Sequence, residues 1–125
     1  MPLKTVSRLL KAVSDPTRLK ILALLAQRSF CVCELTVALG LSQPTVSRHL
    51  QQLEAVGFLI SEREGTWVIY RLKPQDPKAQ ILVDLLLPWV LADPAIQDLI
   101  KRALPLDRYE CSQKMRESLE KSKGG

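Results

Sequence analysis

Three cysteines, Cys31, Cys33 and Cys111, carry the side chains best suited to chemistry in this chain of 125 residues. Cys31 and Cys33 form a Cys-x-Cys pair, whereas Cys111 lies near the other end of the sequence. In a reducing compartment, an odd number of cysteines argues for free thiols or for ligands of a soft ion rather than for a disulfide framework. The alternative is that they are only small apolar residues of the interior.

The spacing of Cys31 and Cys33 limits how they can share a ligand. On an ideal helix, side chains two residues apart point about 200° apart, so the two sulfurs could not meet. On a strand they share a face, but at roughly 6.6 Å, too far for both to hold one small ion. We therefore expect ligand capture to bend or unwind the first turn of the following helix, near Glu34. Thiols close to a helix N-terminus also have a lowered pKa, which favours the binding of a soft ion by their thiolates.

The segment of about 34–56 has the pattern of a helix-turn-helix. Gly40 tolerates the left-handed conformation that ends a first helix. Ser42 can cap a second helix, and Pro44 fits in its first turn. Apolar residues then recur at spacings of four and three, which places them on one helical face. They are Val46, Leu50 and Leu53.

The outer surface of this second helix predicts a DNA-reading face. Its polar side chains point away from the apolar face or lie on its margin. They are Gln43, Thr45, Ser47, Arg48 and Gln51. Distortion of the first helix would misplace them, because the two helices pack together. The alternative is that these residues form an ordinary solvated surface.

The remaining segments predict a mainly α single domain, residues 1–125, with a small β-hairpin. The hairpin, at about 58–72, follows the recognition helix directly and is therefore a wing. Arg63 lies near its tip, where it is either a contact to the phosphate backbone or minor groove or an ordinary exposed arginine. Arg18, Lys20 and Arg28, on the helix before the cysteines, are expected to be solvated. Further helices are predicted at about 3–13 and 78–92, followed by a C-terminal helical extension at about 94–121 that consists of a short helix, Pro94 to Leu104, and a last, polar one, Asp107 to Lys121.

The helix at about 78–92 is apolar nearly all round, more than the surface of a small monomer can hide. Burial against a second copy, together with the helix at about 3–13, is the economical solution. Such a homodimer would place two recognition helices about one DNA turn apart.

Composition and charge favour a soluble DNA-binding protein. Residues 1–73 hold ten Lys/Arg and five Asp/Glu, whereas residues 74–125 hold eight of each. The excess positive charge thus lies in the half with the helix-turn-helix, which suits a phosphate-facing surface. We expect no secretory signal, because the first ten residues contain no long apolar core, and the most apolar run, 81–92, is too short to span a bilayer. We expect a cytoplasmic protein without a membrane partner.

An enzyme is disfavoured by the lack of catalytic groups. The chain has no glycine-rich phosphate loop, and a cysteine nucleophile would need a basic partner. The only histidine, His49, is poorly placed to supply one because it lies beside the buried face of the recognition helix. We expect it to pack or to form a hydrogen bond there.

Taken together, four motifs resemble the ArsR/SmtB family of metal- and metalloid-responsive repressors. They are DPTRLKILALL, CVCEL, LGLSQPTVSRHLQQLEAVGFLI and WVIYRL. The resemblance covers roughly residues 3–92. It implies a homodimeric winged helix-turn-helix repressor that binds double-stranded operator DNA without a cofactor and releases it when a toxic ion binds. Within the family, CVCEL resembles the sensors of arsenite and antimonite, As(III) and Sb(III), which makes Cys31 and Cys33 the expected ligands.

The chain departs from the arsenic-responsive pattern at one position. That pattern carries a third cysteine one helical turn after the pair, where this chain has Leu35, Thr36 and Val37. The remaining thiol, Cys111, is therefore the candidate third ligand, from the same or the opposite subunit, unless an external thiol or water replaces it.

Three other functions stay open at this point. The same fold could respond to cadmium or lead, which also accept thiolates, or to thiol oxidation. It could also be a DNA-binding or protein-interaction module that senses nothing. A zinc sensor of the histidine- and carboxylate-rich type is disfavoured, because His49 has no second histidine beside it.

Overall fold

A computed structural model describes the backbone of residues 2–124 and the side chains of residues 2–117. Within that part of the chain, seven helices surround a three-stranded antiparallel sheet. In chain order the elements are α1 (Leu3–Val13), α2 (Pro16–Leu25), β1 (Phe30–Cys31), α3 (Val32–Leu39), α4 (Gln43–Ala55), β2 (Leu59–Glu64), β3 (Trp67–Leu72), α5 (Pro77–Leu91), α6 (Pro94–Ala103) and α7 (Arg108–Gly124). The predicted mainly α fold with a hairpin wing, the winged helix-turn-helix, is confirmed.

Local capping explains the helix-turn-helix. Gly40 has a φ of 66° and ends α3 in the left-handed conformation, at no steric cost to a residue without a Cβ. The Ser42 hydroxyl then accepts a hydrogen bond of 3.4 Å from the backbone N–H of Thr45 and opens α4. The apolar face of α4 is completely buried, which fixes the direction of its polar face. Its members are Val46, Leu50 and Leu53.

The sheet contains a strand that the sequence did not predict. Its order is β1-β3-β2, so the short strand before α3 pairs with the inner strand of the wing. Phe30 lies opposite Tyr70, and Cys31 lies opposite Ile69. The backbone of Cys31 is therefore joined to the wing before α3 begins.

The C-terminal region contains α5, α6 and α7. α7 continues to Gly124, whereas we predicted a helix end at about residue 121; neither Ser122 nor Lys123 is a strong helix breaker. No single described helix is long and apolar enough to cross a membrane, and α5 and α6 meet such a test only as a pair bent by 96°.

Among the described residues, α1 and α5 carry apolar side chains that this chain leaves uncovered. Leu3 on α1 is 84% exposed and Ile81 on α5 is 64% exposed. Leu10 and Leu85 continue the same exposed set. These are the two helices that the sequence predicted to meet a second copy.

Candidate thiol site and nucleic-acid interface

Cys31 and Cys33 lie at the junction between β1 and α3. Cys31 has extended backbone and is the N-cap of α3, whereas Cys33 is already in its first turn. This change of backbone brings the two Cα atoms to 5.4 Å and joins the two Sγ atoms as a disulfide. One expectation is thereby corrected: the pair is not free in this structure, and its sulfurs meet at the boundary between the strand and the helix. Bending of the first turn of α3 on ligand capture stays a prediction.

The Cys31 sulfur also caps α3. Its Sγ accepts a hydrogen bond of 3.3 Å from the backbone N–H of Glu34, as a serine hydroxyl does at other helix starts. In return, the Glu34 carboxylate accepts one of 2.8 Å from the backbone N–H of Cys31. This is a reciprocal capping box, so a ligand bound at Cys31 would compete with the cap of the helix.

Arg28 is not solvated as expected but holds this junction together. Its guanidinium pairs with the buried Glu34 carboxylate at 3.2 Å and donates hydrogen bonds to the carbonyls of Leu104 (3.4 Å) and Leu106 (3.0 Å). It also lies 3.8 Å from the centre of the Phe30 ring. The physical reason is that a buried carboxylate requires a charged partner. Arg28 thereby ties the α6–α7 connection to the start of α3.

The structure brings the third thiol to the pair. Cys111, on α7 of the same chain, is 1% exposed and shares an apolar cluster with Cys31, Cys33 and Ile69. The next residue, Ser112, donates a hydrogen bond of 3.5 Å to the Cys33 sulfur. Among the described residues, however, no three His, Cys, Asp or Glu side chains are arranged to hold a metal ion. The thiols are therefore neighbours without forming a three-ligand site in this structure.

The environment of Cys111 disfavours its thiolate. Burial raises the pKa of the Cys111 thiol, and the negative charge of Glu34 raises it further. A ligand that needs the Cys111 thiolate must therefore displace a proton that this site holds more tightly than an exposed thiol does.

The docking of α7 on the wing was missed by the sequence interpretation. The Trp67 indole donates a hydrogen bond of 2.8 Å to the Ser112 hydroxyl, and Tyr109 packs edge-on against Trp67 at 4.8 Å. Arg108 pairs with Glu64, on the outer strand of the wing, at 2.5 Å. The only signal in the sequence was the aromatic character of Trp67 and Tyr109. The thiols thus lie between α3, the wing and α7.

The predicted DNA-facing residues lie along the outer face of α4 and on the wing. Gln43, Arg48 and Gln51 are exposed, and Thr45 and Ser47 are half-buried. Arg63, on β2 next to the turn of the wing, is exposed as well. The geometry therefore leaves all six side chains on the surface.

His49 forms a hydrogen bond, as the sequence indicated. Its Nδ1 accepts a hydrogen bond of 3.1 Å from Nε of Arg18, which also donates to the side chain of Gln52. Arg18 therefore supports α4 from α2 instead of being simply solvated.

Comparison with known proteins identifies relatives of this chain. Residues 15–61 match the pattern of a family described as "Bacterial regulatory protein, arsR family". The chain is 38% identical over 108 residues to the arsenical resistance operon repressor of Escherichia coli K12, covering 84% of this chain and 87% of that protein. It is 51% identical over 69 residues to the arsenic resistance transcriptional regulator ArsR1 of Pseudomonas putida, and the match spans 54% of each chain.

A solved structure has the same fold. It is the homodimeric winged helix-turn-helix DNA-binding domain of Mb0332 from Mycobacterium bovis, a possible ArsR-family transcriptional regulator. The two chains are 36% identical, with a TM-score of 0.60, over 73% of this chain and 81% of that one.

The environment of Cys111 leads to a testable pH dependence. In a protein with Cys31→Ser and Cys33→Ser, ionisation of Cys111, followed by the ultraviolet absorbance of the thiolate, is expected to have its midpoint above that of an exposed cysteine. The matched variant that also carries Glu34→Gln should have a lower midpoint, because one negative charge is removed. A midpoint at or below that of an exposed cysteine would contradict the described burial.

Proposed function

The chain belongs to the ArsR family of bacterial regulatory proteins, and on that premise we propose that it represses transcription by binding double-stranded operator DNA. We propose further that arsenite or antimonite, bound by the cysteine thiols, releases the DNA. The observation that carries this proposal is the position of Cys31 and Cys33 at the start of α3, the helix that packs directly on the recognition helix α4.

The DNA-binding face consists of α4 and the wing. The exposed polar side chains of α4 are the proposed contacts to base edges in the major groove, and Arg63 of the wing is the proposed contact to the backbone or minor groove. The net positive charge of residues 1–73 supports this assignment. We propose that this contact needs no cofactor and that the protein acts in the cytoplasm.

The proposed repressor is a homodimer. Contact with a second copy would bury the exposed apolar side chains of α1 and α5 away from water. The homodimeric state of the Mycobacterium bovis relative supports the same arrangement. A two-fold dimer presents two α4 helices to two operator half-sites.

The proposed ligands of As(III) or Sb(III) are Cys31 and Cys33, with Cys111 of the same chain as the third. The Cα atoms of the pair are 5.4 Å apart in this structure, so its reduction would leave two thiols near each other, and Cys111 lies in the same cluster. Soft trivalent ions prefer thiolates. Because the three side chains are not yet arranged as a ligand set, binding requires a local shift of α7 or of the α3 start.

That local shift is the proposed cause of DNA release. The Cys31 sulfur that would bind the ion is also the acceptor in the α3 cap, and α3 packs on α4. If the ion binds the uncapped arrangement more tightly and the operator binds the capped one more tightly, the ion lowers operator affinity. The operator then lowers the affinity for the ion by the same factor.

A redox-responsive repressor is the second candidate function. It is favoured by one observation, the direct pairing of the two sulfurs in this structure. Oxidation of the thiols would then replace ion binding as the signal. Cadmium and lead are alternative ions for the same thiols.

An arsenite titration of the reduced protein on the DNA upstream of its gene tests the proposal. We expect arsenite to lower operator affinity of the wild type by at least about tenfold, and to have no effect on Cys33→Ser. In Cys111→Ser the response should be lost if three thiolates are required, and retained if the pair suffices. If arsenite lowers the operator affinity of Cys33→Ser as much as that of the wild type, the assignment of Cys33 as a ligand is contradicted. Release by hydrogen peroxide in metal-free buffer, without a response to arsenite, would support the redox candidate.

Arg48→Ala tests the DNA-binding face. We expect operator affinity, measured by fluorescence anisotropy, to fall about tenfold or more while the dimer stays folded, because an exposed charged contact is removed from α4. The matched control is Lys101→Ala, which removes one positive charge from α6, outside the helix-turn-helix and the wing. Equal losses in the two variants would show a general effect of charge and remove Arg48 from the interface.

A further inference from the structure

A basic cleft of about 210 Å³ opens between α1, α2 and α4. Three of its lining side chains are cations, Arg8 and Lys11 of α1 and Arg18 of α2. The others are neutral: Ala12, Gln52, Ala55 and Val56. Because no acidic side chain among the described residues lines this basic cleft, its charge favours an anionic partner.

The three cations of the cleft keep their positive charge uncompensated. Among the side chains of residues 2–117, no ion pair involves Arg8, Lys11 or Arg18. Arg18 is fixed by neutral acceptors instead. Its Nε donates to Nδ1 of His49 at 3.1 Å, and its Nη1 donates to the carbonyl of Lys11 at 3.5 Å. Arg8 and Lys11 are exposed, so their long side chains can reach a partner at the mouth of the cleft.

The basic cleft lies beside the recognition helix, on the side opposite the wing. Gln52 of α4 lines the cleft, whereas the carboxylate of Glu54 accepts a hydrogen bond of 2.6 Å from the hydroxyl of Ser61 on β2. This agrees with helical geometry, because side chains two residues apart point about 200° apart. The exposed side chains of Arg48 and Gln51 lie between the two sides. The cleft and the wing therefore flank the proposed DNA-reading face.

A recognition helix in the major groove lies between two phosphate backbones, one on each side of it. The wing, with Arg63, is the proposed contact on one side. The basic cleft occupies the corresponding position on the other side, where guanidinium and ammonium groups bind phosphate oxygens well. Its charge and its position beside α4 thus favour the same partner, the DNA backbone.

We propose that the basic cleft binds backbone phosphates on the side of α4 opposite the wing, with Arg8 and Lys11 as the contacting residues. Arg18 fixes α4 beside them. The proposal rests on the proposed function and adds α1 to the DNA-binding surface. Because α1 also carries Leu3 and Leu10 of the proposed dimer contact, the two clefts of a dimer would lie on the inner sides of the two α4 helices. They would face the phosphates between the two half-sites.

Removal of the two exposed charges tests the contact. The combined variant Arg8→Gln and Lys11→Gln keeps long, helix-forming side chains, so α1 should stay folded. We expect operator affinity, measured by fluorescence anisotropy, to fall about tenfold or more. The slope of log affinity against log salt concentration should fall by about two, because at least one phosphate contact is lost in each subunit. An unrelated duplex should lose affinity by the same factor, because phosphate contacts carry no sequence information.

The matched control is the combined variant Lys20→Gln and Lys101→Gln. It removes the same charge from exposed positions of α2 and α6 that do not line the basic cleft. We expect it to change the salt slope by less than about one. If the control lowers affinity and salt slope as much as Arg8→Gln and Lys11→Gln do, the effect is one of net charge and the proposal is overturned.

A second measurement locates the contacted phosphates on the DNA. Footprinting on the upstream DNA first defines the two half-sites, and neutral methylphosphonate linkages are then placed either between them or at their outer ends. The inner linkages should weaken binding of the wild type by about threefold or more and hardly affect Arg8→Gln with Lys11→Gln, because those contacts are already lost. The outer linkages should weaken both proteins equally. Inner linkages that weaken the variant as much as the wild type would overturn the proposal.

These measurements use no arsenite, so they are independent of the proposed inducer. If the wild type binds its upstream DNA and Arg8→Gln with Lys11→Gln binds it equally well, the inference on the basic cleft fails while the proposed function stands. If the wild type does not bind that DNA, the proposed function itself fails and the inference fails with it.

Discussion

The buried carboxylate of Glu34 is the constraint on which the thiol site depends. It is 5% exposed and accepts a hydrogen bond from the backbone of Cys31 while it pairs with Arg28. A buried polar group without its partner costs about 1–3 kcal/mol, and a charged one costs more. Arg28 is therefore held in place, and the same Nη2 that pairs with Glu34 also donates to the carbonyls of Leu104 and Leu106, which lead from α6 into α7. The Arg28 side chain thus fixes both the start of α3 and the connection to the helix that carries Cys111.

From that junction, contacts extend to both DNA-binding elements. β1 pairs with the inner strand of the wing at Cys31, and α3 packs on α4. α7 closes the third side through Trp67 and Glu64. The change that we propose at the sulfurs would therefore reach the recognition helix through α3 and the wing through β1 and α7. Tightly packed interiors in general change between discrete arrangements rather than deform continuously, which is what the proposed two-state repressor requires.

The sequence was sufficient where the structure is decided locally. Gly40, Ser42 and the apolar spacing of α4 predicted the helix-turn-helix, because caps and helical periodicity act within a few residues. It was insufficient where residues distant in the chain meet. The pairing of β1 with β3, the role of Arg28 and the docking of α7 on Trp67 all depend on such contacts. The predicted geometry of Cys31 and Cys33 was wrong for a different reason. Both residues were assigned to the same regular element, either a helix or a strand, whereas the pair spans the boundary between a strand and a helix.

We propose above all that ion binding at the thiols and DNA binding at α4 weaken each other. The most direct test is the arsenite affinity of the reduced protein, measured by isothermal titration calorimetry with and without saturating operator DNA. Because coupling between two sites is reciprocal, arsenite should bind the DNA complex more weakly, by the same factor by which it lowers operator affinity. Equal arsenite affinities for the free protein and the DNA complex would contradict the account.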